Sequence, residues 1–293
     1  MSSLIFAIVT QAVTFLPLAL AISISYTILR ATDMTLDGSF VLGAAVFARL
    51  VTGGFSPSLA FFAALCAGAL AGIMVSLIQR GGKVDPLLAG ILATFILASG
   101  NLVLMGRPNI NLLSKTTLVS DAFAKNENYG WFVVACFSLV LCAGALFLIS
   151  SRLGLILRAL GDNPNFLARL GKNIERYRMF GFALTNTLAA AAGCLTAQTV
   201  GYADIGMGFG MTLTGIGAII LGQQIIRFAL KKPAMRVFTE FFACLVGVLL
   251  YFLAINSLLR LDINPVYIKM LLGFILILFL RTAVISKTGR AFS

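Results

Sequence analysis

The sequence has no histidine and few charged residues. Asp, Glu, Lys and Arg together make up 11% of its 293 residues. A soluble domain is about 25% charged, so an ordinary water-soluble enzyme and a disordered chain are both excluded. The lack of histidine removes the commonest metal ligand and proton shuttle. The five cysteines all lie within apolar runs and show no metal-binding spacing, so we expect no metal site and no disulfide (Cys66, Cys136, Cys142, Cys194 and Cys244).

Hydrophobic residues dominate instead, at 60% of the chain. A helix needs about 20 apolar residues to cross a bilayer core of ~30 Å, and by this measure the chain is an all-α polytopic membrane protein with about nine transmembrane helices, in the range of eight to ten. Two of the runs, Gly38–Val51 and Met211–Ile226, are short, which indicates broken or re-entrant helices or imprecise ends. The predicted spans are Leu4–Leu29, Gly38–Val51, Ser58–Gln79, Pro86–Met105, Gly130–Ser150, Met179–Val200, Met211–Ile226, Val237–Leu259 and Pro265–Leu280.

The basic residues set the predicted orientation. Cytoplasmic loops of membrane proteins carry an excess of Lys and Arg, and a topology with the N-terminus outside and the C-terminus inside leaves most of the 22 on the inner side. A net charge of +12 could also indicate nucleic-acid binding. Because the basic residues lie in short segments between apolar runs, we expect a lipid bilayer and no nucleic acid as partner. The outer side holds Arg49, Arg107, Lys115, Lys125, Arg260 and Lys269.

The basic cytoplasmic segment 151–178 contains a short helix with a signal at each end. Asn163 can serve as N-cap, because its side chain can accept a hydrogen bond from a free backbone N–H. Pro164 suits the first helical position, where its missing N–H costs nothing. Gly171 suits the position after the helix, where a left-handed conformation is favoured.

The helix between these signals, Pro164–Leu170, is amphipathic. Phe166, Leu167 and Leu170 are predicted to share one apolar face. An isolated helix shorter than about 12–15 residues is marginal in water, so this one needs a surface to pack on. Physical arguments leave two such surfaces open, the lipid headgroups and a protein partner.

Several motifs follow one another in a characteristic order. They are Thr32–Phe40, the Gly-x-x-x-Arg-Ala stretch Gly154–Ala159, an Asp-Asn turn at 162–163, Ala-Arg-Leu-Gly at Ala168–Gly171, Leu188–Gly193 and the glycine-rich Gly201–Gly210. Together they resemble the permease subunits of bacterial ABC transporters, in the family that includes the branched-chain amino acid and ribose permeases. Within it, the chain looks most like the group associated with tryptophan/tyrosine-type uptake. The resemblance covers nearly the whole chain and implies one transmembrane permease domain over residues 1–293.

The resemblance implies the division of labour of a type II ABC importer in the bacterial cytoplasmic (inner) membrane. Two permease copies, expected as a homodimer, form the pathway, cytoplasmic ATPase subunits bind ATP and Mg²⁺, and an external substrate-binding protein delivers the solute. The chain contains no Gly-x-x-x-x-Gly-Lys-Ser/Thr, so we expect it to be a pore subunit with no cofactor or catalytic residue. The implied ATPase-coupling residues are Arg158, Gly161, Asp162, Asn163, Phe166, Leu167, Leu170 and Gly171. Many relatives have an acidic Glu-Asp turn where this chain has Gly161-Asp162-Asn163, so we expect its pairing with the partner subunit to differ.

The two short spans indicate an inverted repeat. Thr32–Gly43 and Ala203–Gly215 each combine an Asp, a Gly-containing turn and a short apolar helix, and they start on opposite sides. The interface of such repeats commonly forms the transport site near the midplane. The glycine-rich run Gly201–Gly222 indicates either close helix packing or irregular backbone lining a cavity. Polar residues in or near these spans either join helices or line the path, and the pathway candidates are Thr35, Asp37, Asn101, Asn186, Gln198, Thr212 and Thr214.

These features favour an ATP-driven importer permease for a small solute. No cationic residue is clearly central in the membrane, so the solute is expected to be amino acid-like or otherwise neutral. The alternative is a secondary transporter driven by an ion gradient, because inverted repeats serve that class too. The absence of carboxylates near the centres of the predicted spans argues against a proton-driven pump.

Overall fold

The computed structural model describes residues 2–229 and 236–260, together with 267, 270 and 273–274. Within these residues the chain is almost entirely helical, with two three-residue strands, β1 (Asn109–Asn111) and β2 (Tyr202–Asp204). The predicted span Pro265–Leu280 lies largely outside the described residues. The α-helices are α1 (Ser2–Ser23), α2 (Thr35–Thr52), α3 (Pro57–Ile78), α4 (Pro86–Met105), α5 (Ser120–Lys125), α6 (Glu127–Ser150), α7 (Arg152–Asp162), α8 (Pro164–Arg169), α9 (Ile174–Val200), α10 (Met211–Ala229) and α11 (Arg236–Arg260).

The described part of the chain contains 8 segments that are long and apolar enough to cross a membrane. They confirm the predicted all-α polytopic membrane protein. The two spans predicted to be short are continuous helices, α2 with 18 residues and α10 with 19. The sequence-based limits cut off polar residues at their ends, such as Thr35 and Asp37 in α2. The segments are Ile5–Ile28, Thr35–Thr52, Pro57–Gly82, Pro86–Met105, Glu127–Ser150, Ile174–Val200, Ile205–Ile226 and Thr239–Arg260.

Helix ends follow local sequence signals. Proline occupies the first turn of α3 and α4, where its missing N–H costs nothing. The Asp85 side chain caps α4 by accepting a hydrogen bond of 2.9 Å from the Leu87 N–H. The helix α9 ends at Gly201, whose φ of 84° is a left-handed conformation that glycine adopts easily.

The long helix α9 packs closely against α2 and α3 through small residues. A Cβ on Gly68 of α3 would lie 2.6 Å from the Asn186 carbonyl oxygen, and one on Gly72 would overlap the Phe182 carbonyl. On the α2 side, Gly43 approaches the backbone of Ala190 in the same way. Small residues let transmembrane helices approach backbone to backbone, which supplies the packing that hydrophobicity cannot supply in lipid.

Contacts at the two ends of the bundle agree with the predicted alternation of the loops between two sides. At the predicted cytoplasmic end, Arg30 forms an ion pair of 2.5 Å with Asp162, and the Gly81 N–H donates to Glu175 at 3.4 Å. At the opposite end β1, which follows α4, pairs antiparallel with β2, which follows α9. Loops that the spans place on the same side therefore meet on that side.

Two helices begin at the same level, inside the bundle rather than at its outer end. The chain leaves β2 beside Phe47 and the outer half of α2 and then runs towards the start of α2, where Gly208 lies against Asp37 and Val41. Ten residues of helix separate Asp37 from Phe47, a rise of about 15 Å. The first turn of α10 therefore lies far from the outer surface, next to the first turn of α2.

Candidate functional site

The start of the short helix α8 matches the prediction. The Asn163 side-chain oxygen accepts a hydrogen bond of 3.2 Å from the Phe166 N–H, and Pro164 is the first helical residue. Asn163 has extended backbone geometry, as an N-cap requires. The cap and the proline together fix where α8 begins.

The end of α8 is a Schellman motif. Gly171 has a φ of 69°, and its N–H donates to the Ala168 carbonyl at 3.0 Å, while the Lys172 N–H donates to the Leu167 carbonyl at 3.1 Å. The helix ends at Arg169, one residue before the predicted end, and Leu170 becomes its C-cap. Both ends are thus fixed by hydrogen bonds inside the segment itself.

The apolar face of α8 is only partly buried. Leu167 is only 3% exposed and belongs to the main hydrophobic core, whereas Phe166 is 53% and Leu170 57% exposed. Leu170 lies between Phe166 and Leu167 around the helix axis, so the three residues fall within about 100° as predicted, but the protein core covers only the Leu167 edge of this face. Leu167 anchors the helix, and the other two side chains remain available to a partner.

The preceding helix α7 packs tightly against the end of α1. A Cβ on Gly161 would overlap the Ile28 carbonyl oxygen and lie 3.1 Å from the Ile28 carbonyl carbon. The next residue, Asp162, forms the ion pair with Arg30, which has a φ of 51°, a conformation that is uncommon for a residue other than glycine. Residues 24–28 between α1 and Arg30 form a π-helical turn, a feature that often marks functional sites.

Arg158, one helical turn before Asp162 in α7, is the next residue near the contact between α7 and the end of α1. It lines a small cavity with Thr27, Asp162 and Glu240, and its Nε and one terminal nitrogen are buried without a hydrogen-bond partner in the described structure. Buried charged groups are stabilised by partners of opposite charge, and two carboxylates share this cavity. A displacement of α7 would therefore change the surroundings of the guanidinium.

Asp37 joins the first turns of α2 and α10. One of its carboxylate oxygens accepts 2.6 Å hydrogen bonds from both the N–H and the hydroxyl of Thr212, and the other accepts a 3.1 Å bond from the Gly210 N–H. A carboxylate thus caps a helix 173 residues away in the chain, which satisfies N–H groups that would otherwise be unpaired inside the membrane. The structure brings together the two segments that resemble each other in sequence.

Asn186, near the middle of α9, is the centre of a second polar group. Its amide donates to Asp33 at 3.0 Å and to the Phe182 carbonyl at 2.9 Å, and its oxygen accepts from Ser39 at 2.6 Å. The Asp33 carboxylate also accepts a 2.9 Å bond from the N–H of Thr35. Asn186, Ser39 and Thr35 are 0% exposed and Asp33 is 2% exposed, so this group joins α2 to α9 and offers no open surface to a solute.

The other pathway candidates also make contacts within the protein. The Asn101 amide donates to the Gly38 carbonyl at 3.1 Å, and the Gln198 oxygen accepts from the Leu118 N–H at 3.1 Å. Thr214 bonds to backbone carbonyls of its own helix. These bonds support the structural interpretation of the buried amides, and lining of the pathway by these residues stays a prediction.

Two further hydrogen-bonded pairs of polar residues, which link the α1 region to α10 and α11, were not predicted. The Asn256 amide donates to the exposed Gln11 at 2.9 Å towards the outer side, and the Gln223 amide donates to the Thr27 hydroxyl at 3.4 Å towards the inner side. The available sequence signal was an amide within an apolar span, the criterion that selected Asn101. These two pairs join α1 to α11 and the turn after α1 to α10, and they are less buried than the Asn186 group.

Two features define a class of protein. The first is a helical membrane domain in which two helices begin together below the outer surface, an arrangement of transport proteins. The second is the capped helix α8 with its exposed apolar residues. In the described residues, no cluster of three or more His, Cys, Asp or Glu residues could hold a metal ion. The chain is a multi-pass transport permease.

Comparison with known proteins identifies the family. The chain belongs to the permease component family of the branched-chain amino acid transport system, whose model matches residues 4–280. It is 45% identical over 266 residues to an uncharacterized protein of Rickettsia prowazekii, covering 91% of this chain and 92% of that one. It is 33% identical over 279 residues to the tyrosine transport system permease protein of Clostridioides difficile, covering 95% and 90%. The ribose import permease of Escherichia coli is 25% identical over 201 residues, covering 65% and 60%. No solved structure matches the chain.

Proposed function

We propose that this chain is the membrane subunit of an ATP-driven importer and that α8 receives the driving motion from a separate ATPase subunit. The observation that carries the proposal is the contrast within α8: Leu167 is buried while Phe166 and Leu170, one turn apart, are more than half exposed. Membership of a family of ABC-type permeases supports the same role. ATP and Mg²⁺ bind to the partner subunit, because this chain has no phosphate-binding loop.

The contacts of α7 provide a route for the motion. A partner that pushes on Phe166 and Leu170 moves a helix that is anchored by Leu167 and connected to α7 through Asn163. From α7 the displacement passes through the Gly161–Ile28 contact and the Arg30–Asp162 ion pair to the end of α1. Such rigid shifts of packed helices are a common form of transport motion.

The proposed solute is small and amino acid-like. The supporting observation is the tyrosine transport permease among the relatives. The proposed assembly has two copies of this chain, two ATPase subunits and an external substrate-binding protein, in the bacterial cytoplasmic membrane. Solute then passes between the two permease copies.

The substitution Leu170→Asp tests the coupling role. It places a charge on an exposed apolar contact, so we expect solute uptake to fall at least tenfold, with a cost at the interface of about 1.4 kcal/mol or more. The matched control is Leu155→Asp on α7, which changes an equally exposed leucine (61%). Uptake of radiolabelled solute is measured in cells, with membrane insertion checked by immunoblot and ATPase binding by co-purification.

The outcomes separate the proposal from its alternatives. Loss of ATPase binding and uptake in Leu170→Asp, with both retained in Leu155→Asp, supports coupling through α8. Normal uptake in an inserted Leu170→Asp variant contradicts it. The helices that begin together inside the membrane are also found in secondary transporters. Uptake by the purified chain alone in liposomes under an ion gradient, without nucleotide, would therefore establish the secondary transporter instead.

A further inference from the structure

A cavity of about 310 Å³ lies at the predicted cytoplasmic end of α3 and α9, outside the site described above. Two arginines line it, Arg80 just after α3 and Arg176 in the first turn of α9. A single acidic residue, Glu175, also lines it, and this carboxylate lies 3.8 Å from Arg178 and accepts a hydrogen bond from the Gly81 N–H. The cavity therefore has a net positive lining.

The remaining lining residues are two polar ones, Ser76 and Asn173, and two apolar ones. Leu77 and Met179 line it together with the two arginines. Leu77 is 48% exposed and continues an exposed stripe on α3 that includes Leu59 (52%) and Leu70 (66%). These three leucines lie within about 20° of one another around the helix, on the side opposite the glycines that pack against α9.

We propose that this cavity binds the phosphate group of an anionic phospholipid of the cytoplasmic leaflet. The guanidinium groups of Arg80 and Arg176 pair with the phosphate, as arginine does through parallel N–H···O bonds. The acyl chains lie along Leu77 and Leu70, which are about 10 Å apart along the axis of α3. Basic pockets between transmembrane helices on the cytoplasmic side recognise lipid headgroups in this way.

The combination of two arginines with an adjoining apolar stripe favours a phospholipid over other anions as the ligand of this cavity. A free phosphate would use the arginines and leave the apolar stripe of α3 facing the bilayer unchanged. A phospholipid satisfies both parts at once, because its charged group and its chains are joined at the depth where the cavity meets the stripe. The position of the cavity beside the start of α9 also places the lipid next to α8, which Lys172 and Asn173 connect to α9. The assignment depends on the predicted orientation and not on coupling to an ATPase.

Lipid retention by the full-length chain provides the test. The protein is purified in detergent, incubated with vesicles of phosphatidylcholine containing phosphatidylglycerol, and re-isolated, and the bound lipids are quantified by mass spectrometry. We expect phosphatidylglycerol to be enriched over phosphatidylcholine in the wild-type protein and its retention to fall about tenfold or more in Arg80→Gln/Arg176→Gln. The matched control is Lys83→Gln/Arg152→Gln, which removes the same charge from exposed cytoplasmic positions and should retain the lipid.

A third variant and a competing anion distinguish a phospholipid headgroup from free inorganic phosphate as the ligand. Leu77→Asn should weaken phosphatidylglycerol retention, and inorganic phosphate at millimolar concentration should not displace the lipid. Equal retention in the arginine variant and its control, or no selectivity in the wild type, overturns the proposal. Displacement by inorganic phosphate with no effect of Leu77→Asn identifies a simple anion site. Unchanged lipid with loss of ATPase or of the second permease copy in the arginine variant identifies a protein interface, and either result also overturns the proposal.

Discussion

At the scale of single residues, close backbone approaches set the strictest limits on this chain. Gly161 lets α7 meet the Ile28 carbonyl, and Gly68 and Gly72 let α3 meet α9. A methyl group at such a position cannot be accommodated by rotating a side chain, because the opposing atoms belong to the backbone. The effect of a substitution there reports on the packing of whole helices.

Gly161→Ala should separate α7 from the end of α1. The added Cβ overlaps the Ile28 carbonyl, and overpacking of this kind costs about 1–3 kcal/mol. We expect a lower unfolding temperature in detergent and reduced solute uptake. Gly144→Ala in α6 is the control, because nothing lies within 4 Å of its added Cβ and alanine is the better helix former. A stability equal to that of the control would show that the contact does not constrain α7.

At the scale of elements, α10 depends on a distant residue for its start. Its first turn lies inside the bundle, where water cannot satisfy free N–H groups, and the Asp37 carboxylate accepts the hydrogen bonds of Gly210 and Thr212. The glycines of this region serve both functions that the sequence left open. Those up to Gly210, which has a φ of 76°, belong to irregular backbone, whereas Gly222 packs α10 against Ala243 of α11.

Asp37→Ala should destabilise the start of α10 more than Thr212→Val does. The first change leaves two backbone N–H groups and a hydroxyl without their acceptor, at a cost of about 1–3 kcal/mol per buried group. The second removes only the hydroxyl. Thermal unfolding of both purified variants measures the difference, and hydrogen exchange at 210–214 locates it. Equal destabilisation by the two variants would contradict a capping role for the carboxylate.

The elements also show what a sequence can predict. The ends of α8 were predictable because Asn163, Pro164 and Gly171 act locally, within the ten residues 163–172. The inward direction of Leu167 was not, because it depends on a core built from α1, α7 and α9. The hydrogen-bond partner of Gln11 could not be predicted either. Asn256 is 245 residues away in the chain, and no local pattern determines which polar residue of another span Gln11 contacts.

At the scale of the whole molecule, the two ends of the bundle differ in what they expose. The outer end carries the β1–β2 pair and Leu113, which is 79% exposed, and the inner end carries α8 with Leu170, 57% exposed. The predicted orientation therefore assigns each of these leucines to a different aqueous compartment.

Cysteine labelling tests that orientation. In intact spheroplasts, a membrane-impermeant maleimide should label Leu113→Cys, and it should label Leu170→Cys only after the membrane is opened. The wild-type chain is the control for its own cysteines, of which Cys66 and Cys136 are exposed in apolar spans. The reverse labelling pattern would invert the topology and move the lipid cavity to the outer leaflet.

The π-helical turn at 24–28 has one mechanical consequence. Such a turn holds one more residue than an α-helical turn between hydrogen-bonded groups. If a pull on Asp162 converted this turn into regular α-helix, the helical register of the residues after it would shift by one. Each of those residues would move about 1.5 Å along the axis of α1 and rotate about 100° around it. A small pull on Arg30 from the cytosol would thereby become a rotation of Leu29 and its neighbours. In that case the extra residue would couple a linear pull on Arg30 to a torque at the end of α1.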